Sequence, residues 1–257
     1  MSQKRRARRT DRPNPREDRN FSNFSTQQFN KPSQFSEPTR VFKRKKVNLI
    51  PRNIVQEDYI AALEDPNIPI VVGTGPAGTG KTFLAALAGL KALEEGRCDK
   101  IVITRPNRAV DDKDIGFLPG DVFKKMMPWM LPVLDVFKEY YTPKEVEAML
   151  LDEILEVCPI AYIRGRTFKN AFVMVDEAQG TTKNSMLSIL TRIGEGSKMV
   201  VTGDIRQSDI GLHNGLQDFL DRFDGSRLIK VVNFTGKHVE RSPVVSEVLR
   251  IYSELDF

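Results

Sequence analysis

Between the apolar run Ile70-Val71-Val72 and the stretch Phe83-Leu-Ala-Ala-Leu-Ala-Gly-Leu90 stand the residues Gly75-Pro-Ala-Gly-Thr-Gly-Lys-Thr82. A β-branched run, a glycine-rich turn and a helix-forming stretch in succession read as a strand passing through a loop into a helix. The eight residues match G-x-x-x-x-G-K-[ST], and the flanking elements are those that this motif requires. A strand that feeds a helix in this way is followed by a parallel strand, reached by a right-handed crossover. Further apolar runs begin near Ile101, Phe172, Met199 and Leu228 and alternate with helical patterns. The expected fold is therefore α/β: a mainly parallel, five-stranded core sheet flanked by helices on both faces, in one domain over residues 47–257.

The loop's composition has a chemical reading. Glycines allow successive backbone N–H groups to turn inward around phosphate oxygens, and the following helix adds its positive N-terminal end. Gly75, Pro76, Ala77, Gly78, Thr79, Gly80, Lys81 and Thr82 thus form a candidate phosphate cradle. In it Lys81 reaches the β- and γ-phosphates of ATP, and the Thr82 hydroxyl is placed to ligate Mg²⁺. The bland alternative is a glycine turn that matches by accident.

Phe172-Val-Met-Val-Asp-Glu-Ala178 supplies the partner of that loop. Four apolar residues make a buried parallel strand, and Asp176 emerges at its end as a candidate Mg²⁺ ligand. Glu177, next to it, is a candidate for orienting and deprotonating the attacking water. In Lys198-Met-Val-Val-Thr-Gly-Asp-Ile-Arg-Gln207 another strand carries its polar residues at its end, where Asp204 and Gln207 can sense the γ-phosphate. Gln56, ahead of the loop, can offer its amide to the adenine edge, although a helical glutamine is commonly only solvated. Arg105 sits where a parallel strand ends, at the ligand-facing edge of such sheets. Arg241 is a candidate arginine finger, or else a surface arginine beside Glu240.

Charge is unevenly placed. The net charge is +5. Residues 1–46 hold fourteen Lys or Arg against four Asp or Glu, a net +10 that leaves the remainder at −5. This segment has almost no aliphatic residues and reads as a disordered basic tail. Its cationic clusters, interleaved with single phenylalanines, suit single-stranded nucleic acid, RNA or DNA; a solubilising tail or an acidic protein partner fits the same charge. The turn Arg164-Gly-Arg-Thr-Phe-Lys169, with Arg164 and Arg166, can grip a phosphate backbone or serve a neighbouring subunit, and exposed cations in a turn need neither. Cys98 and Cys158 form no C-x-x-C pair, which argues against a zinc site or a disulfide framework and fits a reducing cytoplasm. No apolar run approaches the roughly 18 residues of a membrane span.

Pro51 to Leu63 reads as a helix capped by Asn53 and stopped at Asp65-Pro66. Met126–Tyr141 and Lys144–Leu155 read as helices, Glu156–Ile163 as a strand, and Ser242-Pro243 as the start of a C-terminal helix.

Six segments in order, Gly75–Thr82, Gly116-Phe-Leu-Pro-Gly-Asp121, Ala161-Tyr-Ile-Arg-Gly-Arg-Thr-Phe168, Val175-Asp-Glu-Ala-Gln179, Thr191-Arg-Ile-Gly-Glu-Gly-Ser197 and Val201-Thr-Gly-Asp204, resemble the PhoH family of phosphate-starvation-inducible ATPases. The resemblance runs from about Arg52 to about Tyr252. That family is similar to the N-terminal ATPase half of superfamily 1 helicases. The resemblance implies a RecA-like core, ATP binding and hydrolysis, and a role in RNA metabolism. Carried over by motif, it assigns Lys81 and Thr82 to phosphate and metal, Asp176 and Glu177 to metal and water, and Gln207 to the γ-phosphate.

The expected activity is Mg²⁺-dependent ATP hydrolysis coupled to RNA or single-stranded DNA, in a ring-like homo-oligomer with sites at its interfaces and no membrane association. A P-loop small-molecule kinase and a nucleotide-gated nucleic-acid-binding protein with little turnover are the alternatives.

Overall fold

The computed structural model describes residues 46–106, 122–211 and 214–238, with positions 244 and 247; side chains of 122–127 are not included. The tail up to residue 45, the Gly116–Asp121 motif, Arg241 and, apart from the helical positions 244 and 247, the C-terminal helix expected from Ser242 lie outside the described residues. In chain order the elements are α1 (Ile54–Glu64), β1 (Ile70–Thr74), α2 (Lys81–Glu94), β2 (Lys100–Thr104), α3 (Val122–Lys138), α4 (Pro143–Leu151), β3 (Leu155–Val157), α5 (Ile160–Ile163), β4 (Ala171–Val175), α6 (Lys183–Leu190), β5 (Lys198–Gly203), α7 (Gly215–Arg222) and β6 (Ile229–Asn233). The strands form a single parallel sheet in the order β3-β2-β4-β5-β1-β6.

The sequence expectation of five core strands is corrected to six among the described residues. The added strand, β3, is the edge of the sheet and only three residues long. It is also shorter than the strand expected over Glu156–Ile163. Cys158 N still donates to Ile103 O at 2.9 Å, but Pro159 has no N–H to continue the ladder and instead precedes the helical turn of α5.

Side-chain alternation along the strands divides the core in two. Val71, Ile101, Ile103, Phe172, Met174, Val200 and Val232 face α1 to α4, where Tyr59, Leu63, Leu90, Leu134 and Phe137 are buried with them. Ile70, Val72, Val102, Val173, Val175, Met199 and Val201 face the other way, onto Ile160, Ile163, Met186, Ile189 and Leu216 of α5 to α7. Period-2 burial on both faces is why these strands read as near-continuous apolar runs.

Helix boundaries follow local chemistry. Asn53 caps α1, its side chain accepting from Gln56 N at 2.9 Å. At the other end of α1, Lys198 Nζ donates to Ala62 O at 2.8 Å and Asp65 O at 2.7 Å, supplying donors to carbonyls that the helix leaves unpaired. Thr142 and Glu145 form a reciprocal capping box on α4 with Pro143 at its first position. Thr182 caps α6.

The edge strand is tied down electrostatically. Glu156 accepts from Arg166 Nη2 at 2.9 Å and from Lys100 Nζ at 3.1 Å, and the Arg166 guanidinium lies 4.8 Å from the Phe168 ring centroid. The Arg166 bond, followed by that of Lys100, holds the Glu156 carboxyl below its ordinary value. A carboxylate with a lowered folded pKa adds stability above its unfolded pKa and loses it as pH falls through the folded one. Arg166→Ala is therefore expected to cost about 1 kcal/mol at neutral pH, a value kept small by solvent screening of a half-exposed pair. In denaturant titrations the gap from wild type should close as pH falls below the ordinary carboxylate range.

Candidate functional site

The sheet order sets three strand ends side by side. Val72 of β1 pairs with Val201 of β5, and Val201 pairs with Val175 of β4. The loop after β1, the residues after β5 and Asp176-Glu177 after β4 therefore emerge together at the carboxyl edge, where α/β sheets bind ligands.

The loop after β1 is shaped by its glycines. Gly75 has φ +134°, and a Cβ there would lie 2.2 Å from Phe234 O, so no other residue fits without moving the β6 end. Gly80, at φ +85°, passes close over the amide of Gln56. Gln56 is only 4% exposed. Its Nε2 donates to Thr79 O at 3.1 Å and its Oε1 accepts from Arg52 N at 2.9 Å, so this amide braces the loop from below. Thr79 donates its hydroxyl to Pro76 O at 3.0 Å, closing the turn on itself.

Lys81 opens α2, and its ammonium folds into the loop. Nζ donates to Gly75 O at 2.7 Å, Pro76 O at 2.6 Å and Thr79 Oγ1 at 3.1 Å. Ala77, Gly78, Lys81, Thr82, Asp176 and Gln207 are among the residues around a cavity of about 260 Å³. The structure thus brings together the loop, Thr82, Asp176, Glu177 and Gln207. Arg241 lies outside the described residues.

Asp176 is buried, and its Oδ1 accepts from two hydroxyls, Thr82 Oγ1 at 2.8 Å and Thr202 Oγ1 at 2.6 Å. Its own N–H donates to Thr104 O at 2.9 Å. Among the described residues no group of three or more His, Cys, Asp or Glu is gathered to enclose a metal ion. A hydroxyl and a carboxylate 2.8 Å apart beside a phosphate-shaped loop suit a hard cation that keeps most of its waters and takes few protein oxygens, which is the habit of Mg²⁺. Thr82 and Asp176 fit that ion.

Glu177 adopts φ 55°, ψ 41°, a left-handed conformation uncommon for a side chain of this kind. Its Oε1 accepts from Arg105 Nη2 at 3.0 Å and its Oε2 from Gln179 Nε2 at 2.5 Å. Gln179 is itself pinned, its Oε1 accepting from Asp204 N at 3.0 Å. Sequence reasoning did not find Gln179 or Thr202 as site residues, nor the pairing of Arg105 with Glu177. The Arg105, Thr202 and Asp204 contacts join segments that belong to different strands, and only the placement of β2 and β5 on either side of β4 reveals them; the Gln179 to Glu177 bond is local, two residues apart.

Of the arginines expected to meet nucleic acid, Arg164 is exposed. Arg166 is partly buried and paired within the chain with Glu156 and the Phe168 ring. Among the described residues no helix is long and apolar enough to cross a membrane.

A "PhoH-like protein" of Synechocystis sp. is 40% identical over 199 residues, covering 77% of this chain and 60% of the relative. The "PhoH-like protein" of Bacillus subtilis is 39% identical over 202 residues, with 77% and 62% covered. "Protein PhoH" of Escherichia coli K12 is 39% identical over 209 residues, with 80% and 58% covered. The chain therefore spans about three fifths of the length of these curated relatives. Among solved structures, the Hef helicase domain of Pyrococcus furiosus aligns at TM-score 0.42 and 13% identity, covering 77% of this chain and 39% of that one. The Pif1 helicase of Candida albicans aligns at TM-score 0.37 and 13% identity, covering 79% and 44%. The sequence profile described as "PhoH-like protein" matches residues 48–253, and with relatives near 40% identity over most of its length the chain belongs to the PhoH-like protein family.

Proposed function

We propose that this chain binds and hydrolyses ATP with Mg²⁺ and couples that hydrolysis to RNA or another single-stranded nucleic acid. The observation that carries the reading is the Thr82 to Asp176 hydrogen bond, 2.8 Å long across 94 residues, which joins a loop built for phosphate to a carboxylate suited to Mg²⁺. Phosphoryl transfer needs little covalent chemistry from a protein and is driven by positioning and charge. Lys81, released from the Gly75 and Pro76 carbonyls, binds the β- and γ-phosphates as a point charge. Thr82 and Asp176 hold Mg²⁺, which when bound neutralises phosphate charge. Glu177 orients the attacking water and takes its proton, and Gln207 senses the γ-phosphate. Any contact of Gln56 with adenine uses its second N–H and second lone pair, since the first of each bonds the chain itself. Arg241, or an arginine of another subunit, completes the charge clamp in a ring-like homo-oligomer. The basic tail and Arg164 are the proposed nucleic-acid contacts, and Cys98 and Cys158, free and buried, are compatible with a reducing cytoplasm.

Asp176→Asn keeps an oxygen to accept from Thr82 and Thr202 but removes the charge. It is expected to raise the Mg²⁺ concentration needed for half-maximal turnover roughly tenfold or more, since hard-cation affinity follows ligand charge. The reading as a whole is tested by phosphate release with and without a single-stranded RNA, together with light-scattering mass during turnover. RNA-stimulated release from an oligomer is expected. Hydrolysis indifferent to RNA would refute the coupling, and a turning-over monomer would refute the ring.

A further inference from the structure

Glu177 stands between two cavities. On one side lie Lys81, Thr82 and Asp176. On the other is a larger cavity of about 730 Å³ lined by Arg105, Trp129, Gln179 and Arg206 among others. Both donors to the Glu177 carboxylate, Arg105 and Gln179, belong to that second side.

Neither donor is loosely held. Arg105 follows β2, and its Nη1 donates to the Trp129 carbonyl of α3 at 3.0 Å. The Gln179 carbonyl is committed to Asp204 N, which fixes the amide orientation and turns its NH₂ group towards Glu177. The left-handed backbone at Glu177 is a conformation that persists where surrounding groups impose it. The carboxylate is thus held between a charged donor anchored at β2 and α3 and a neutral donor anchored to Asp204 after β5.

We propose that Arg105 is a restraining group on Glu177: it holds the carboxylate on the second-cavity side, and hydrolysis proceeds from conformers in which the pair has opened. This rests on Glu177 being the group that orients water. A general base must turn a lone pair to the water within about 3 Å, and a guanidinium is the strongest competitor for it in the vicinity. Opening does not strand the cation, because Asp176 Oδ2 lies 4.0 Å from Arg105 Nη1 and offers a second carboxylate. Gln179 remains as a neutral guide that keeps Glu177 near the site. The side chains of Arg105 and Glu177 are 22% and 39% exposed, so the restraint is modest.

Phosphate release and nucleotide affinity measured on Arg105→Met, Arg105→Lys and the double variant Arg105→Met/Glu177→Gln test the proposal. Arg105→Met is expected to raise kcat about fivefold, the equivalent of a weak surface ion pair, with the Kd for ATP within about twofold of wild type. Arg105→Lys, which keeps the charge, should bring the rate back towards wild type. The double variant should be as slow as Glu177→Gln alone, because the gain passes through Glu177. A kcat at or below wild type with affinity retained would overturn the proposal, since Arg105 would then be neutral or would itself stabilise the transition state. Loss of affinity with loss of rate would overturn it in favour of a structural role. Absence of hydrolysis by the wild type would instead sink the ATPase reading on which the proposal stands.

Discussion

Glu177→Gln is expected to bind ATP as tightly as the wild type and to hydrolyse it at least about 100-fold more slowly, the usual contribution of a positioned general base. The substitution is nearly isosteric. It leaves the loop, Lys81 and the Thr82 to Asp176 bond untouched. What it removes is the ability to accept the proton of water. It also sets an amide NH₂ against either Arg105 or Gln179, where the carboxylate now accepts from both. Because the side chain is 39% exposed, water can satisfy the displaced donor and the fold should lose less than about 1 kcal/mol. A filter-binding titration beside single-turnover phosphate release separates the two effects. Normal turnover would remove Glu177 from the proposed mechanism.

Lys81→Ala should have its largest effect a step earlier, on binding. The ammonium is buried and makes three hydrogen bonds inside the loop, two of them to the carbonyls of Gly75 and Pro76. Gly75 and Pro76 are only partly buried, so water can reach their carbonyls when Lys81 is lost, and the fold is expected to survive. A bound polyphosphate has no such substitute for a charge at close range. Removing one partner of a desolvated charge pair costs roughly 2–5 kcal/mol, so ATP affinity should fall on the order of 100-fold or more. Fluorescence titration with a nucleotide analogue measures it directly. Affinity within threefold of wild type would mean that the loop does not hold phosphate through Lys81.

The different depths at which these residues were legible have a physical basis. Lys81, Thr82 and Asp176 could be read because each lies in a contiguous run whose local pattern, strand then turn then polar tip, is set by neighbours in sequence. The strands beginning at Ile70, Lys100, Ala171, Lys198 and Ile229 likewise announced themselves as apolar runs. β3 was read only within a longer run, Glu156–Ile163, and left out of the core sheet, because three residues at a sheet edge stopped by Pro159 give almost no periodicity. The Arg105 to Glu177 and Gln179 to Asp204 contacts have no local signature at all. They exist because β2 and β5 flank β4, an order that no run of residues encodes by itself. Arg166 is the converse case: its composition suggested an exposed cation, yet Glu156 and Phe168 were waiting across a short turn. Gln56 was singled out for its place ahead of the loop. The structure gives it a partner in that loop, Thr79, rather than an open face.

The measurement that bears most directly on the central claim is steady-state phosphate release from ATP by the purified chain, with Mg²⁺ and with Mg²⁺ chelated. Many turnovers per chain in Mg²⁺ and none after chelation are predicted, because Thr82 and Asp176 form an oxygen pair suited to that cation at the phosphate loop. Recovery of bound ATP intact in the presence of Mg²⁺ would contradict hydrolysis and leave a nucleotide-binding protein whose Glu177 has some other task.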